Sequence, residues 1–437
     1  MQFQKQPVLE FLNHYQMGHQ TIDIEECCQG FLAEMRLGLN GQSSLAMLPT
    51  YIEAEGQLPP AERVIVIDAG GTNLRVATIY FDHQGEAVIE NFSKYPMPGS
   101  RAEVGKAEFF NTIAGYVKEI ADCCTKIGFC FSYPMDMLPN RDGKLIRFSK
   151  QIQAPEVVGE LIGANLQTAL EAAGCKTPHQ IVLLNDTVAA LLAGKTGLHE
   201  RSFDSYVGFI FGTGINACYI EQNVNIGKCS SLNPQKAQII NTEVGGYLQA
   251  PAGQLDRVFD QTTVDPGKFT YEKMVSGRYL GGVCYQTMLQ AVRDGLFTPA
   301  VAVRLQAFSD LSAVDVNHFL VNPGSAQHPL GAALSAGTDG DRSRLYLILD
   351  NLVERAAKLA AANLGAMVLQ SDKGTAPDHP VCISADGTTF YQLRGLRFRT
   401  EHYLYEFLTE QQGRYFEIVN IDNAPLIGAA IAGLING

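Results

Sequence analysis

Residues 63–81 read R-V-I-V-I-D-A-G-G-T-N-L-R-V-A-T-I-Y-F. Residues 64–67 are a short apolar run, the mark of a buried strand, and residues 74–81 resume a β-prone run after two glycines and a threonine. The stretch predicts a hairpin whose tip carries no bulky side chain. Gly70 and Gly71 can take positive φ and leave room for a ligand beside the backbone. Free amides at the tip, with Asn73 and the Thr72 hydroxyl beside them, suit phosphate oxygens, and Asp68 at the strand end can hold a magnesium ion through its waters. An ordinary tight hairpin is the alternative at this point.

A chain of 437 residues exceeds the length of about 250–300 at which single cores stop growing, so two domains are expected. The formal charge of −12 argues against nucleic acid or an anionic membrane as partner, while leaving a locally positive cleft for a nucleotide possible. The ten cysteines form no C-x-x-C pair, so zinc spacing is absent, and Cys130 and Cys382 lie inside apolar runs. Free buried thiols fit a reducing compartment. The first thirteen residues lack a signal-peptide core, and the longest nearly apolar run, 424–435, is too short to span a bilayer. The expectation is a soluble cytoplasmic protein.

Further along, residues 8–51 have a helical pattern that ends in an extended connector at Pro49. Helices are predicted over 109–123, 155–173, from 187, over 271–289, 299–308 and 342–369, and finally 425–434. Strands are predicted over 127–131, 181–184, 207–211, 216–221, 381–384 and 415–421. Residues 207–221 repeat the layout of the first hairpin, with Gly212-Thr213-Gly214 at the tip. Two such tips facing each other could hold both ends of a triphosphate. Strands alternating with helices indicate α/β layers.

With these pieces placed, the chain resembles the hexokinase family, in the eukaryotic-type branch that includes glucokinase. The match runs in order through M-L-P-T-Y-I at 47–52, D-A-G-G-T-N-L-R at 68–75, G-F-C-F-S-Y-P at 128–134, and Ser149-Lys150. It continues through Asn185-Asp186-Thr187, G-T-G-I-N-A-C-Y at 212–219, Asn241-Thr242-Glu243 and P-G-K-F-T-Y-E-K-M-V-S-G-R-Y-L at 266–280. The resemblance implies the actin-like (ribonuclease H-like) two-domain α/β fold. A small domain of 58–185 plus about 421–437 would close on a large domain of 1–57 plus 186–420, with sugar and ATP meeting between them. Two departures stand out. Phe148 and Ser149 replace the family's tryptophan and threonine, and residues 422–428 replace its Gly-Ser-Gly-Lys-like element, which leaves base contacts and donor preference open.

Moving a γ-phosphoryl group onto a sugar hydroxyl needs a base, cations on the phosphates and exclusion of water. From the residues alone, Asp186 reads first as a helix N-cap; the resemblance makes it the general base. The resemblance likewise implies that Asn185, Asn216, Glu243 and Glu272 bind sugar hydroxyls. Read singly, Asn216 could be a turn residue and Glu272 a solvated one. Ser132, Ser149 and Lys150 would close from the small domain, with Lys150 also reaching the transferring phosphate unless it is a plain surface lysine. Gly212, Thr213 and Gly214 would meet the phosphates, Asp68 the magnesium, and Asp386 and Gly387 the adenosine side. Arg75 is expected to pair with a nearby carboxylate. The implied activity is phosphorylation of a hexose, glucose foremost, at O6 by Mg-ATP. A non-catalytic sugar sensor and another actin-like ATPase are the competing classes, and the oligomeric state is left unset.

Overall fold

The structure is a computed structural model that describes residues 2–148, 152–196 and 201–437. Two sheets dominate it. The smaller runs in the order Ala87–Pro96, Asn73–Phe81, Val64–Ala69, Lys126–Phe131, Gln180–Leu184. Its first three strands are antiparallel and its last two join in parallel. The larger runs Leu48–Pro49, Ala237–Asn241, Ile215–Gln222, Ser205–Phe211, Val381–Asp386, Phe416–Val419. Leaving aside the short Leu48–Pro49 edge, it repeats the same scheme of three antiparallel strands followed by two parallel ones. The echo between the two glycine-tipped hairpins is therefore a duplicated topology.

Each sheet's last strand feeds a helix that packs on the other sheet. Asp186–Ala193 follows Gln180–Leu184 and lies on the large sheet, while Ala424–Asn436 follows Phe416–Val419 and lies on the small one. The two helices also pack on each other. Small residues allow this closeness. A Cβ on Gly128 would fall 1.8 Å from the Ala429 carbonyl oxygen, one on Gly428 2.0 Å from that of Ala189, and one on Gly208 2.2 Å from that of Thr187. Glycine inside a strand costs stability, and it is found where another backbone comes close. The small-residue composition of 424–436 is thus explained by what it touches.

The large sheet's other face is covered by helices, chief among them Asp339–Ser371, buried nearly all round. It starts where Thr338 Oγ1 accepts the Asp341 amide at 3.2 Å and Asp341 Oδ2 accepts the Thr338 amide at 2.8 Å, a reciprocal cap. Among the described residues, no helix is long and apolar enough to cross a membrane.

Several predicted elements are divided differently. The helical region 8–51 is two helices, Gln2–His14 and Ile24–Leu39, and the predicted 109–123 helix is Lys106–Val117. The stretch 155–173 is a single 3-10 turn and then Ile162–Ala172, separated where Gly159 takes φ +86° and donates to the Leu145 carbonyl at 2.8 Å. The expected helix 271–289 is Thr270–Val275 and Leu280–Arg293. Its break has a purpose: Gly277 N donates to Gly212 O at 3.0 Å and Arg278 N to Thr213 O at 3.1 Å. Those amides brace the second glycine tip instead of continuing a helix. The strands Ala87–Pro96 and Ala237–Asn241 went unpredicted.

Candidate active site

The site lies at the carboxyl ends of the parallel strands, where open α/β sheets place their ligands. On one side, Asp68, Gly70, Gly71 and Thr72 line a cavity of about 420 Å³, and its opposite wall is Thr213. The two glycine tips therefore face each other across one space. Each is held from behind. Gly70 N donates to Asn73 O at 3.1 Å, and Tyr133 Oη donates to Gly70 O at 2.5 Å. Gly212 N donates to Gly214 O at 2.9 Å, and Gly212 O also accepts Thr389 Oγ1 at 2.9 Å. Gly387 abuts the second tip at φ +123°, and a Cβ there would sit 2.3 Å from Phe211 O. Asp386 Oδ1 accepts the Gly387 amide at 2.6 Å, so the predicted adenosine-side pair adjoins the phosphate side.

Asp68 is buried, and Arg75 Nε donates to its Oδ2 at 2.6 Å. Burial pushes the Asp68 carboxyl upward and the Asp186 charge adds to the push, while the Arg75 guanidinium opposes it. Lys94, in register with Arg75 across the next strand pair, adds a second cation to the cavity wall. Magnesium commonly sits on one or two carboxylates plus substrate phosphates. Asp68 on a cavity lined by amides and a hydroxyl fits that donor set. No cluster of three or more His, Cys, Asp or Glu suited to a metal occurs among the described residues.

Among the residues expected to meet the sugar, Asn216 Nδ2 donates to Asn241 Oδ1 at 2.8 Å and to Glu243 Oε1 at 3.3 Å, and Asn241 Nδ2 donates to the same Glu243 oxygen at 2.9 Å. Glu243 takes φ +53°, which is unusual for a residue with a side chain and keeps its carboxylate in this network. Burial raises the Glu243 carboxyl and Asp186 adds to it, against the Asn241 and Asn216 bonds and the Arg147 charge. Glu272 is pushed up to about 7, chiefly by burial and also by Glu243; the Ile215 amide, Arg278 and Arg147 pull it back. Gly214 and Gly245 make room for it: a Cβ on either would come within 3.0 Å and 2.9 Å of Glu272 Oε2. Ser132 is buried at the end of Lys126–Phe131, its amide donating to Ala69 O at 3.1 Å.

Asp186 is the first residue of its helix and is half-buried. The N-cap is Asn185, whose Oδ1 accepts the Thr187 amide at 2.9 Å; Asp186 Oδ1 shares that amide at 2.9 Å. Capping therefore does not require Asp186. Its charge adds to the upward push on both the Asp68 and the Glu243 carboxyls, so it lies within electrostatic reach of each. Ser149 and Lys150 lie outside the described residues.

The sequence did not single out Asn241, Tyr133 or Lys94. In the sequence Asn241 is only the first residue of the Asn-Thr-Glu tripeptide; its role depends on the neighbouring strand, where it lies opposite Cys218. Lys94 could have been found only with the unpredicted strand Ala87–Pro96 in hand.

Two family models, both described as hexokinase, match residues 8–196 and 206–435. The chain is 27% identical over 427 residues to Hexokinase-1 of Schizosaccharomyces pombe, covering 93% of this chain and 86% of that protein. It is 27% identical over 434 residues to the Hexokinase-like 1 protein of Arabidopsis thaliana, covering 92% and 86%. In fold it superposes on the Schistosoma mansoni hexokinase complexed with glucose with a TM-score of 0.78 over 99% of both chains, at 24% identity. With two glycine tips lining one cavity and these matches over nearly its whole length, the chain belongs to the hexokinase family and is a phosphotransferase of the sugar-kinase type.

Proposed function

We propose that the protein transfers the γ-phosphoryl group of ATP to O6 of a hexose, glucose foremost, yielding the hexose 6-phosphate and ADP. The observation that carries the reading is Thr213 of the second tip forming the wall of the cavity lined by Asp68, Gly70, Gly71 and Thr72 of the first. In the proposed arrangement Gly70, Gly71, Thr72, Asn73, Gly212, Thr213 and Gly214 receive the phosphates, and Asp386 and Gly387 border the adenosine. Magnesium, held by Asp68 through water, supplies charge neutralisation on the phosphate oxygens when bound.

Ser132, Ser149, Lys150, Asn185, Asn216, Glu243 and Glu272 hold the sugar hydroxyls. An ionised carboxylate accepts two or more such bonds at charge-assisted strength. Asp186 accepts the O6 proton as the new O–P bond forms and the bond to the departing ADP oxygen breaks, while Lys150 balances charge on the transferring group. Residues 58–185 with 421–437 form the closing lobe, and residues 1–57 with 186–420 the other. Their closure excludes water. The ten cysteines are all free, which suits a cytoplasmic setting.

A coupled phosphorylation assay over glucose, mannose, fructose and N-acetylglucosamine, with Mg-ATP and other donors, tests the reading. ATP-dependent transfer to at least one hexose is expected. Hexose binding without transfer would replace it with a sugar sensor, and ATP hydrolysis indifferent to hexose with a different actin-like ATPase.

A further inference from the structure

Arg147 belongs to the short segment after Gly143–Leu145, and the preceding residue, Ile146, is tied by its amide to Pro134 O at 3.0 Å. Pro134 is two residues from Ser132, so this segment belongs to the small-sheet side of the site. Yet the Arg147 guanidinium lies 4.9 Å from the ring centroid of Phe269, which belongs to the large-sheet side. Phe269 takes φ +52°, a left-handed conformation that is strained for an aromatic residue. There it forms the N-cap of Thr270–Val275, its carbonyl accepting the Lys273 amide at 3.0 Å. That short helix carries Glu272, and Lys273 anchors it from below through Asp260 at 2.7 Å and Asp265 at 3.1 Å.

The ring under Arg147 is thus the cap of the helix that presents a sugar-side carboxylate. The groups around the two carboxylates are few. Asp186 acts on Glu243 from its helix, Asn216 and Asn241 bond Glu243 from the strands, Arg278 acts on Glu272 from the segment bracing the second tip, and Arg147 acts from across the gap. Arg278 acts on Glu272, whereas Arg147 acts on Glu272 and Glu243 together.

We propose that Arg147 is a positioning residue for hexose capture: laid on Phe269, it ties the segment leading to Phe148 to the helix bearing Glu272, and it supplies the cation shared by Glu243 and Glu272. A cation stacked on an aromatic ring is a weak contact at an exposed position. It therefore makes and breaks readily, as a contact spanning a working cleft must. Its charge favours the ionised carboxylates, which accept sugar hydroxyls, over protonated ones, which must donate. This deepens the hexose-kinase reading and rests on it.

The test compares Arg147→Gln, Arg147→Lys and Phe269→Leu with the unaltered protein, by hexose KM and kcat from pH 5.5 to 8.5 and by calorimetric hexose binding. Arg147→Gln is expected to raise the hexose KM at pH 7 about tenfold, a change of about 1.4 kcal/mol. It should also move the acidic limb of kcat/KM for hexose up by about half a pH unit, with the KM for Mg-ATP far less affected. Arg147→Lys should restore the limb, and Phe269→Leu should raise KM while leaving the limb in place. An unchanged KM and limb in Arg147→Gln would overturn the inference. A raised KM with an unmoved limb and no rescue by lysine would do the same, leaving Arg147 as mere packing. Failure of the unaltered protein to bind or phosphorylate any hexose would instead bring down the underlying reading, and it is seen before any variant is compared.

Discussion

Asp68 lies directly opposite Arg75 in the antiparallel register, and the guanidinium of Arg75 donates to Asp68 Oδ2 through Nε at 2.6 Å. The carboxylate is almost wholly buried while the arginine keeps partial exposure, with side chains 4% and 30% accessible. The arginine therefore opposes the upward push that burial gives the Asp68 carboxyl. Removing it as Arg75→Leu leaves a buried charge unpaired, and the expected loss is about 3 kcal/mol of stability. Denaturant unfolding at pH 7 measures it. The double variant Asp68→Asn with Arg75→Leu should recover part of that loss, and a single variant as stable as the parent would deny the pairing its role.

Asp186→Asn should lower turnover roughly 10²–10⁴-fold if the carboxylate accepts the hydroxyl proton. The helix it begins should persist, because Asn185 still caps the Thr187 amide. Circular dichroism and calorimetric hexose binding separate the two effects. Turnover within a few-fold of the parent would remove Asp186 as the base.

Glu272 links stability to pH in the direction opposite to an ordinary salt-bridged acid. Its carboxyl is raised from 4.5 to about 7, mainly by burial. Ionising it in the folded state is therefore costly: the cost is absent below about pH 4, grows as pH rises between the two values, and is complete above about pH 7. Glu272→Gln should accordingly stabilise the sugar-free protein at pH 8 by up to about 3 kcal/mol, with little change near pH 4. The same variant should lose most hexose affinity, since the amide offers one acceptor oxygen in place of two. Equal melting temperatures of parent and variant at pH 8 would contradict the burial argument.

Gly277 can be tested by adding one carbon. An alanine there would bring its Cβ to 2.7 Å from Gly212 O and 2.1 Å from Thr389 Oγ1. Overpacking of this kind costs about 1–3 kcal/mol, and here the strain falls on the second glycine tip. The KM for Mg-ATP should rise about tenfold while hexose affinity, measured by calorimetry, stays near the parent value. A variant with unaltered nucleotide KM would show that the tip tolerates displacement.

Much of this was legible in the chain. Apolar runs of four to six residues gave the buried strands, because a strand covered on both faces reads as continuous hydrophobicity. Residues 64–67, 127–131 and 381–384 are such runs, and each lies within a strand whose residues, end positions apart, are buried. Glycines between a strand and its return marked both tips. What misled was period: residues 271–289 keep a helical pattern straight through the break at 276–279, since the amides of Gly277 and Arg278 are captured by Gly212 and Thr213, far away in sequence. Strand Ala87–Pro96 escaped notice because it is an edge strand, part-exposed to exposed along its length and without a buried face to betray it.

By itself, then, the sequence determined the buried parallel strands, the two tips and the chemical identity of the site's acids and amides, since these depend on local composition and on residue types in order. Only the tertiary structure decided that Thr213 closes the cavity begun by Gly70 and Gly71, that Asn216 binds Asn241 and Glu243, and that Arg147 rests on Phe269. Each of those contacts joins segments far apart along the chain. Such pairings are fixed by how two sheets and two crossing helices bury their surfaces together, which no local pattern encodes.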